Sequence, residues 1–464
     1  MASFPARAVS DQAPALVPVT LSADLPAHLA ASLVTDLGAG DTGSTSSLAV
    51  ALAAVPDARH RRGRRHELTG VLTIAACACL TGATSYVAIS EWAAIQGAAV
   101  LDCLDDHHAI GTALPCEATL RRCLQTTDAA ALDAAVAGWA GAQLAVQQAR
   151  AAGGQRCEPV VAGADRRVIA IDGKTLRGSA PRSTAEQVAI ARSGGGRTHL
   201  VAAFDRASGV TLGQVACAPE AGKGGEVAAA LALAATLDER GLLVESVVTV
   251  DAGFTARELA ADLRAHGAHW ILRIRGNQKT LHTRLKALPW ARVPEAARVR
   301  SVGHGRVETR TIRVIDLAGS SDGHGEFFPA AAQALKIVRR RRTRRGRWSV
   351  QTVYAITSLD ARAADPALLA CWIRGHWRIE AGLHWIRDVV FAEDHSQVRT
   401  GHGPINLAAL RTLAINALRL AGHTNIAAGL RQHARTPLFT AGHPRTHVTT
   451  LPRPCLLTQS VTHR

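Results

Sequence analysis

Three acidic residues stand where phosphate chemistry would need them. Asp172 ends the apolar run "VIAID" (168–172) and Asp251 ends "SVVTVD" (246–251), two short strand-like patterns. If those strands are neighbours, both carboxylates emerge at one sheet edge. Carboxylates a few ångströms apart repel, and a hard cation such as Mg²⁺, which prefers oxygen ligands, removes the repulsion. Glu380 lies in "HWRIEAGLHW" (376–385). There His376, Glu380, His384 and Asp388 recur every four residues, beside an apolar side of Leu368, Trp372, Ile379, Leu383 and Ile386. A helix with its apolar side on the sheet would aim Glu380 at the two aspartates. Three carboxylates holding two Mg²⁺ or Mn²⁺ ions would form a phosphoryl-transfer site. Plainer readings stand beside this one: strand-end aspartates as turn residues, and Glu380 in an ion pair with Arg374 or Arg387.

Other candidate sites are weaker. His376, Glu380 and His384 share a helix face, but the spacing is not the H-E-x-x-H of zinc hydrolases. "GKGGE" (222–226) is glycine-rich before a helix, which suits an anion, but it lacks the pattern of a nucleotide-binding P-loop. "SGGG" (193–196) reads as a flexible turn. The nine cysteines include no C-x-x-C pair, so reduced buried thiols are expected rather than a disulfide framework or zinc site. Trp372, Trp377 and Trp385 are expected to pack, though a tryptophan there could stack on a base.

The elements that would position these residues follow from the patterning. Residues 1–54 read as a flexible N-terminal segment, with "LGAGDTGSTSS" (37–47) as a linker. Residues 55–155 read as an all-helical domain. No signal peptide is expected. The uncharged stretch 68–90 has the length of a membrane span, but its Thr, Ser, Gly and Ala content fits a buried helix pair better, and no membrane partner is expected. From residue 168 the order is β-β-β-α-β-α-β, a mixed α/β sheet. Residues 291–350 read as a β-rich insertion, 351–425 as the return to the core with the Glu380 helix, and 426–464 as an irregular tail.

Lys and Arg outnumber Asp and Glu by 53 to 37, a formal charge of +16, which favours a polyanionic partner such as nucleic acid. Arginines concentrate in "RHRRGRRH" (59–66) and between residues 339 and 347.

Three blocks resemble the DDE transposases of bacterial insertion sequences, in the ISAs-type branch that includes the H-repeat-associated proteins: "AIDGKTLRGS" (170–179), "VTVDA…HWILRIRGNQKTL" (248–281) and "RGHWRIEAGLHWIRDVVFAEDHSQVRTG" (374–401). "PDARHRRGRRHELTGVLTIAACACLTGATSYVAISEWA" is similar to the helical region that precedes the catalytic core in that family. The resemblance covers roughly residues 55–435. It implies an α/β fold with an RNase H-like catalytic core and a β-rich insertion, preceded by the all-helical N-terminal domain. It makes Asp172, Asp251 and Glu380 the catalytic, metal-binding triad for two Mg²⁺ or Mn²⁺ ions. The implied partner is double-stranded DNA, both terminal inverted repeats and target, met in the bacterial cytoplasm by a homodimer. DNA contacts are expected from Arg59, Arg61, Arg62, Arg64, Arg65, Lys174, Asn277, Gln278, Arg339, Arg340, Arg341, Arg342, Arg344, Arg345, His376, His384 and Arg387. Turn chemistry is the plainer reading of Asn277 and Gln278. The wider group carries Tyr-x₂-Arg-x₃-Glu-x₆-Lys, where this chain has Ile373, His376, Glu380 and Arg387. Phe254, Ala256 and Ala381 stand where relatives carry polar residues, and the tail after Pro437 is unlike theirs. These departures motivate one alternative to an active transposase, a sequence-specific DNA-binding remnant that has lost catalysis; an RNase H-like nuclease without sequence preference is a further alternative.

Overall fold

The computed structural model describes residues 47–105, 114–152, 163, 165–180, 196–218, 221–303, 305–317, 327–343 and 346–435. Residues 1–46 of the expected flexible segment, most of "SGGG", Arg344 and Arg345, and everything after Arg435 lie outside these.

Helices come first: α1 (Leu48–Ala53), α2 (Leu68–Leu80), α3 (Tyr86–Asp105), α4 (Glu117–Thr126) and α5 (Ala129–Ala152). Because α1 lies within residues 1–54, the expected flexible segment ends earlier than its pattern suggested; Ser47 caps the helix by accepting from Val50 N–H. The membrane-like stretch 68–90 resolves into α2, a turn at Gly82 and the start of α3. Every residue of α2 except Thr69 is buried, so its missing charge reflects burial in protein. Among the described residues Ala129–Ala149 has the length and composition to cross a membrane. Here it packs on the sheet, and its buried Asp133 accepts a hydrogen bond from Gln214 N–H at 2.9 Å.

The α/β part runs β1 (Val168–Thr175), β2 (His199–Asp205), β3 (Thr211–Ala216), α6 (Glu226–Glu239), β4 (Val247–Val250), α7 (Arg257–Ala265), β5 (His269–Ile274) and α8 (Lys279–Ala287). Four longer strands follow, β6 (Ala297–Gly303), β7 (Arg306–Asp316), β8 (Gln333–Thr343) and β9 (Ser349–Thr357), then α9 (Pro366–Gly375), α10 (Gly403–Leu420) and α11 (Ile426–Arg435). All nine strands form one sheet, ordered β3-β2-β1-β4-β5-β9-β8-β7-β6. The parallel pairs β1–β4 and β4–β5 need helical crossovers, and α6 and α7 supply helices between them. The expected insertion therefore does not form a separate sheet. β9 pairs antiparallel with β5, from Ile271 opposite Thr357 to Ile274 opposite Tyr354, and so carries the ribbon β6–β9 as an extension of the core sheet. Helix α11 corrects the tail, since residues 426–435 are helical.

The Glu380 region departs from one straight helix. Asp365 caps α9 by accepting from Ala367 N–H, with Pro366 in the first turn. The chain turns at His376–Trp377 and continues in a wider helix over 380–390. There Trp385 N–H returns to Glu380 C=O and Phe391 N–H to Ile386 C=O, the i→i+5 bonding of a π-helix. The residues of the expected apolar side contribute to two packing clusters. Leu369 and Trp372 join Val168, Val247, Ile271 and Ala355, whereas Ile379, Leu383 and Ile386 join the main core with Ile171 and Val250. Alternate residues of β5 feed the two clusters, but the main core wraps both sheet faces, since the consecutive residues Ile169, Ala170 and Ile171 of β1 all belong to it. Gly382 permits the close approach: a Cβ there would stand 2.7 Å from the Phe204 ring.

A buried ion triad anchors the π-helical segment. Arg387 donates to Glu393 Oε2 at 2.8 Å, and Arg411 of α10 donates to Glu393 Oε1 at 2.9 Å and to Thr84 C=O at 3.0 Å. Burial opposes ionisation of Glu393, but the two guanidiniums hold its carboxyl below the usual range. Removing one member of a buried network strands the charges that remain. Glu393→Ala should therefore lower unfolding free energy by about 3–5 kcal/mol, read from the shift in the urea midpoint at constant m-value; a change within the scatter of surface mutants would show that the triad does not hold the segment.

Candidate active site

Asp172 is not the last residue of its strand. β1 continues through Thr175, paired with β2, but its parallel pairing with β4 ends at Ile171 opposite Val250. The next step of that register places Asp172 beside Asp251, just past the end of β4, so the expected meeting of the two strands holds even though one strand runs on. Both aspartates line an open cleft of ≈ 400 Å³ with Gly173, Glu226, Ala252, Gly253, Phe254, Arg275 and Asn277.

Glu380 reaches the same neighbourhood from the π-helical segment. Ligand atoms of Asp172, Glu380 and His384 all lie within 4.8 Å of one another. His384 Nδ1 is 3.1 Å from Glu380 Oε2 and 3.8 Å from Asp172 Oδ2. Asp251 stays outside that group and faces cations: Arg273 Nη1 lies 3.1 Å from Oδ1 and Arg275 Nη1 3.7 Å from Oδ2. Even so, Asp251 Oδ1 is buried and receives no hydrogen bond. Carboxylate oxygens, one imidazole nitrogen and an unsatisfied buried oxygen are a donor set that fits a divalent cation.

The electrostatics separate the acids. Burial raises the Asp172 carboxyl above its usual range, while His384 and His376 pull it back down. The hydrogen bond from His384 lowers Glu380 against the opposing effect of burial. Burial pushes the imidazole of His376 down; its Nδ1 lies 3.1 Å from the hydroxyl of Thr249.

Several residues expected at DNA are engaged within the protein. Arg387 is fully buried in its pair with Glu393, so its guanidinium is not at the surface where a phosphate would lie. Lys174, also buried, pairs with Asp388 and stands 3.8 Å from Asp394. His376 and His384 are interior rather than on a polar edge. Asn277 donates to Ala252 C=O at 2.7 Å and Gln278 to Thr255 C=O at 2.8 Å, bracing the loop after Asp251 as turn chemistry would. Arg59 is held by Asp57, with further bonds to His66 C=O and Cys123 Sγ. Arg61, Arg62, Arg64 and Arg65 are exposed, as are Arg340, Arg341 and Arg342 on β8. Arg339 pairs with Glu308 at 2.7 Å, and the Arg342 guanidinium lies 5.1 Å from the Trp348 ring centre. Trp372 packs as expected, but Trp377 and Trp385 are exposed.

Phe254 is buried beside the cleft, Ala256 begins α7 without a side-chain cap, and Ala381 is exposed. Sequence reasoning missed Glu226, Arg273 and Arg275. For Glu226 the signal was the glycine-rich "GKGGE", read only as an anion loop.

Residues 163–417, more than half of the chain, match the family described as "Transposase DDE domain", and residues 49–140 match the "DDE_Tnp_1-associated" family. Among curated proteins, "Putative transposase YncI" of Escherichia coli O157:H7 is 27% identical over 81% of this chain and 88% of its own length. "H repeat-associated putative transposase YhhI" of Escherichia coli K12 is 26% identical over 82% of this chain and 92% of its own. A solved piggyBac transposase synaptic complex with hairpin DNA aligns over 88% of this chain and 75% of that one at 10% identity and a TM-score of 0.34, a likeness too weak to bear on the fold.

The raised Asp172 carboxyl has a thermodynamic sign. A carboxyl raised in the folded state contributes stability at pH below its unfolded value and loses it as pH rises through the folded value. Asp172→Asn, neutral at every pH, should melt above wild type at pH 7 with chelator present. The gap should close as pH falls toward the ordinary aspartate value of 3.8. A lower melting temperature for the variant at pH 7 would contradict the assigned cause.

Proposed function

The chain belongs to the transposase DDE family, and from that membership and the cleft we propose a metal-dependent transposase that cuts DNA at the ends of its element and joins them to a target. The observation that carries the reading is the convergence of acids: Asp172 and Asp251 at adjacent strand positions in one cleft, with Glu380 within reach of Asp172. In this reading β1–β5 with the Glu380 segment form an RNase H-like core (165–290 and 351–425), β6–β8 lie in its β-rich insertion (291–350), and residues 55–155 are a helical DNA-associated domain.

In the first step a water oxygen bonds to phosphorus and gives up a proton, the bond to the departing 3′ oxygen breaks, and that oxygen takes up a proton, leaving a 5′-phosphate and a free 3′-hydroxyl. In the second the freed 3′-hydroxyl attacks a target phosphodiester in the same way. Asp172, Asp251 and Glu380 would hold two Mg²⁺ or Mn²⁺ ions, which when bound supply activation of the attacking oxygen and charge neutralisation at the leaving one. His384 orients Glu380 through its 3.1 Å contact. Arg275, exposed at the cleft, offers a cation to a phosphate oxygen. The exposed arginines of 61–65 and of β8 supply attraction independent of sequence. Two element ends call for two clefts, hence a homodimer acting on terminal inverted repeats and target DNA in the bacterial cytoplasm.

Nicking and strand transfer on element-end DNA with Mg²⁺ or Mn²⁺ test this. Asp172→Asn, Asp251→Asn and Glu380→Gln should each reduce both steps by about 100-fold or more. If wild type and Asp172→Asn behave alike, the chain is a DNA-binding remnant; equal cleavage of unrelated DNA would indicate an unspecific nuclease. Separately, Arg341→Ala should weaken binding to all DNA sequences alike and reduce the slope of log affinity against log salt by about 1; an unchanged slope would remove the ribbon from the DNA interface.

A further inference from the structure

The three acids leave one carboxylate of the cleft unaccounted for. Glu226 opens α6 and is only 8% exposed, yet it lines the same cleft as Asp172 and Asp251. Its Oε1 lies 3.0 Å from His199 Nε2, and His199 Nδ1 lies 2.8 Å from Thr175 Oγ1. An ionised carboxylate only accepts, so Nε2 carries the proton, and in the neutral ring Nδ1 accepts from the Thr175 hydroxyl. This chain of bonds from β1 through β2 to α6 fixes Oε1. No described residue donates a hydrogen bond to Oε2.

The backbone is bare where this carboxylate enters. A Cβ on Gly173 would stand 2.7 Å from Glu226 Oε1, and one on Gly253 would stand 3.0 Å from Oε2. Neither glycine has a positive φ, so backbone conformation does not require glycine at either place; space for the carboxylate does. Gly173 directly follows Asp172, and Gly253 is two residues after Asp251. Glu226 thus reaches between the chain segments that carry the two aspartates. The positive end of α6 and His199 offset part of its charge, while Oε2 faces Gly253 in the loop after Asp251, in the cleft that Asp172 and Asp251 also line.

We propose that Glu226 is a fourth carboxylate ligand of the cleft's divalent cations, with His199 as its positioning residue. This rests on the metal-dependent reading above. The cation would bind Oε2, the oxygen to which no described residue donates, while His199 keeps Oε1 from rotating away.

Mn²⁺ binding to the full chain, followed by paramagnetic resonance and calorimetry without DNA, tests the assignment. Glu226→Gln keeps the shape and an oxygen that accepts from His199. It should weaken Mn²⁺ binding about 10–100-fold, and His199→Gln about 10-fold, with melting temperatures in chelator near wild type. Asp172→Asn serves as reference. If Asp172→Asn loses Mn²⁺ binding and Glu226→Gln binds like wild type, Glu226 is only a helix-end residue and the proposal is overturned. If both bind like wild type, the metal-dependent reading fails with it. Should Glu226→Gln not fold, Gly253→Ala carries the test, because it crowds Oε2 and leaves the charge: weakened Mn²⁺ binding supports the proposal and wild-type binding overturns it.

Discussion

The arrangement depends on one buried carboxylate shared by two arginines. Glu393 accepts from Arg387 in the π-helical segment and from Arg411 in α10. Arg411 also reaches Thr84 C=O, between α2 and α3. α10 is tied in turn to β3, where Asn416 both accepts from and donates to the backbone of Thr211, and to α4, where Asn406 donates to Leu124 and Thr127. The segment that carries Glu380 is thus located by helices some three hundred residues earlier in the chain. The N-terminal helices and the sheet consequently share one apolar core, in which Leu72 and Leu120 sit with Ile171 and Val250.

Charge is divided with equal economy. The chain carries +16, yet the cleft gathers Asp172, Asp251, Glu226 and, close by, Glu380. Of the cations nearby, Lys174 pairs with Asp388 and Arg273 with Asp251, while Arg275 stands at the cleft's rim 3.7 Å from Asp251. A small acidic hollow therefore opens in a basic molecule. The excess positive charge lies elsewhere, on the exposed arginines of 61–65 and of β8. Polyanion attraction and cation affinity can then coexist, because the two sets of charges are not spent on each other.

Much of this was legible in the sequence. Apolar runs with turn residues gave β1 to β5 and the helices among them, and the two aspartates at the ends of those runs line one cleft, because parallel pairing brings equivalent strand ends side by side. What stayed hidden depends on partners distant in sequence. Lys174 and Arg387 look like surface cations until Asp388 and Glu393 are seen opposite them. That the ribbon continues the core sheet was not legible, because the β5–β9 pairing joins residues about eighty positions apart. Four-residue spacing in 376–388 suggested one regular helix, and nothing local announced the turn at His376 or the wider bonding that follows. Trp377 and Trp385 were expected to pack by residue type alone, yet both are exposed. Glu226 was overlooked because its significance lies in two glycines that do not crowd it.

One strand belongs to two worlds. β9 begins among exposed residues, Ser349 and Val350, and ends fully buried at Ala355, Ile356 and Thr357 beside β5. Side chains alternate faces along a strand, so a single-residue insertion within its inner half would turn every core residue beyond it to the wrong face. At the outer end, between β8 and β9, residues added in pairs would lengthen both strands and leave the inner register untouched. The ribbon can therefore change length from its tip over evolutionary time, reaching for different lengths of partner, while the acidic cleft at its root keeps the same shape.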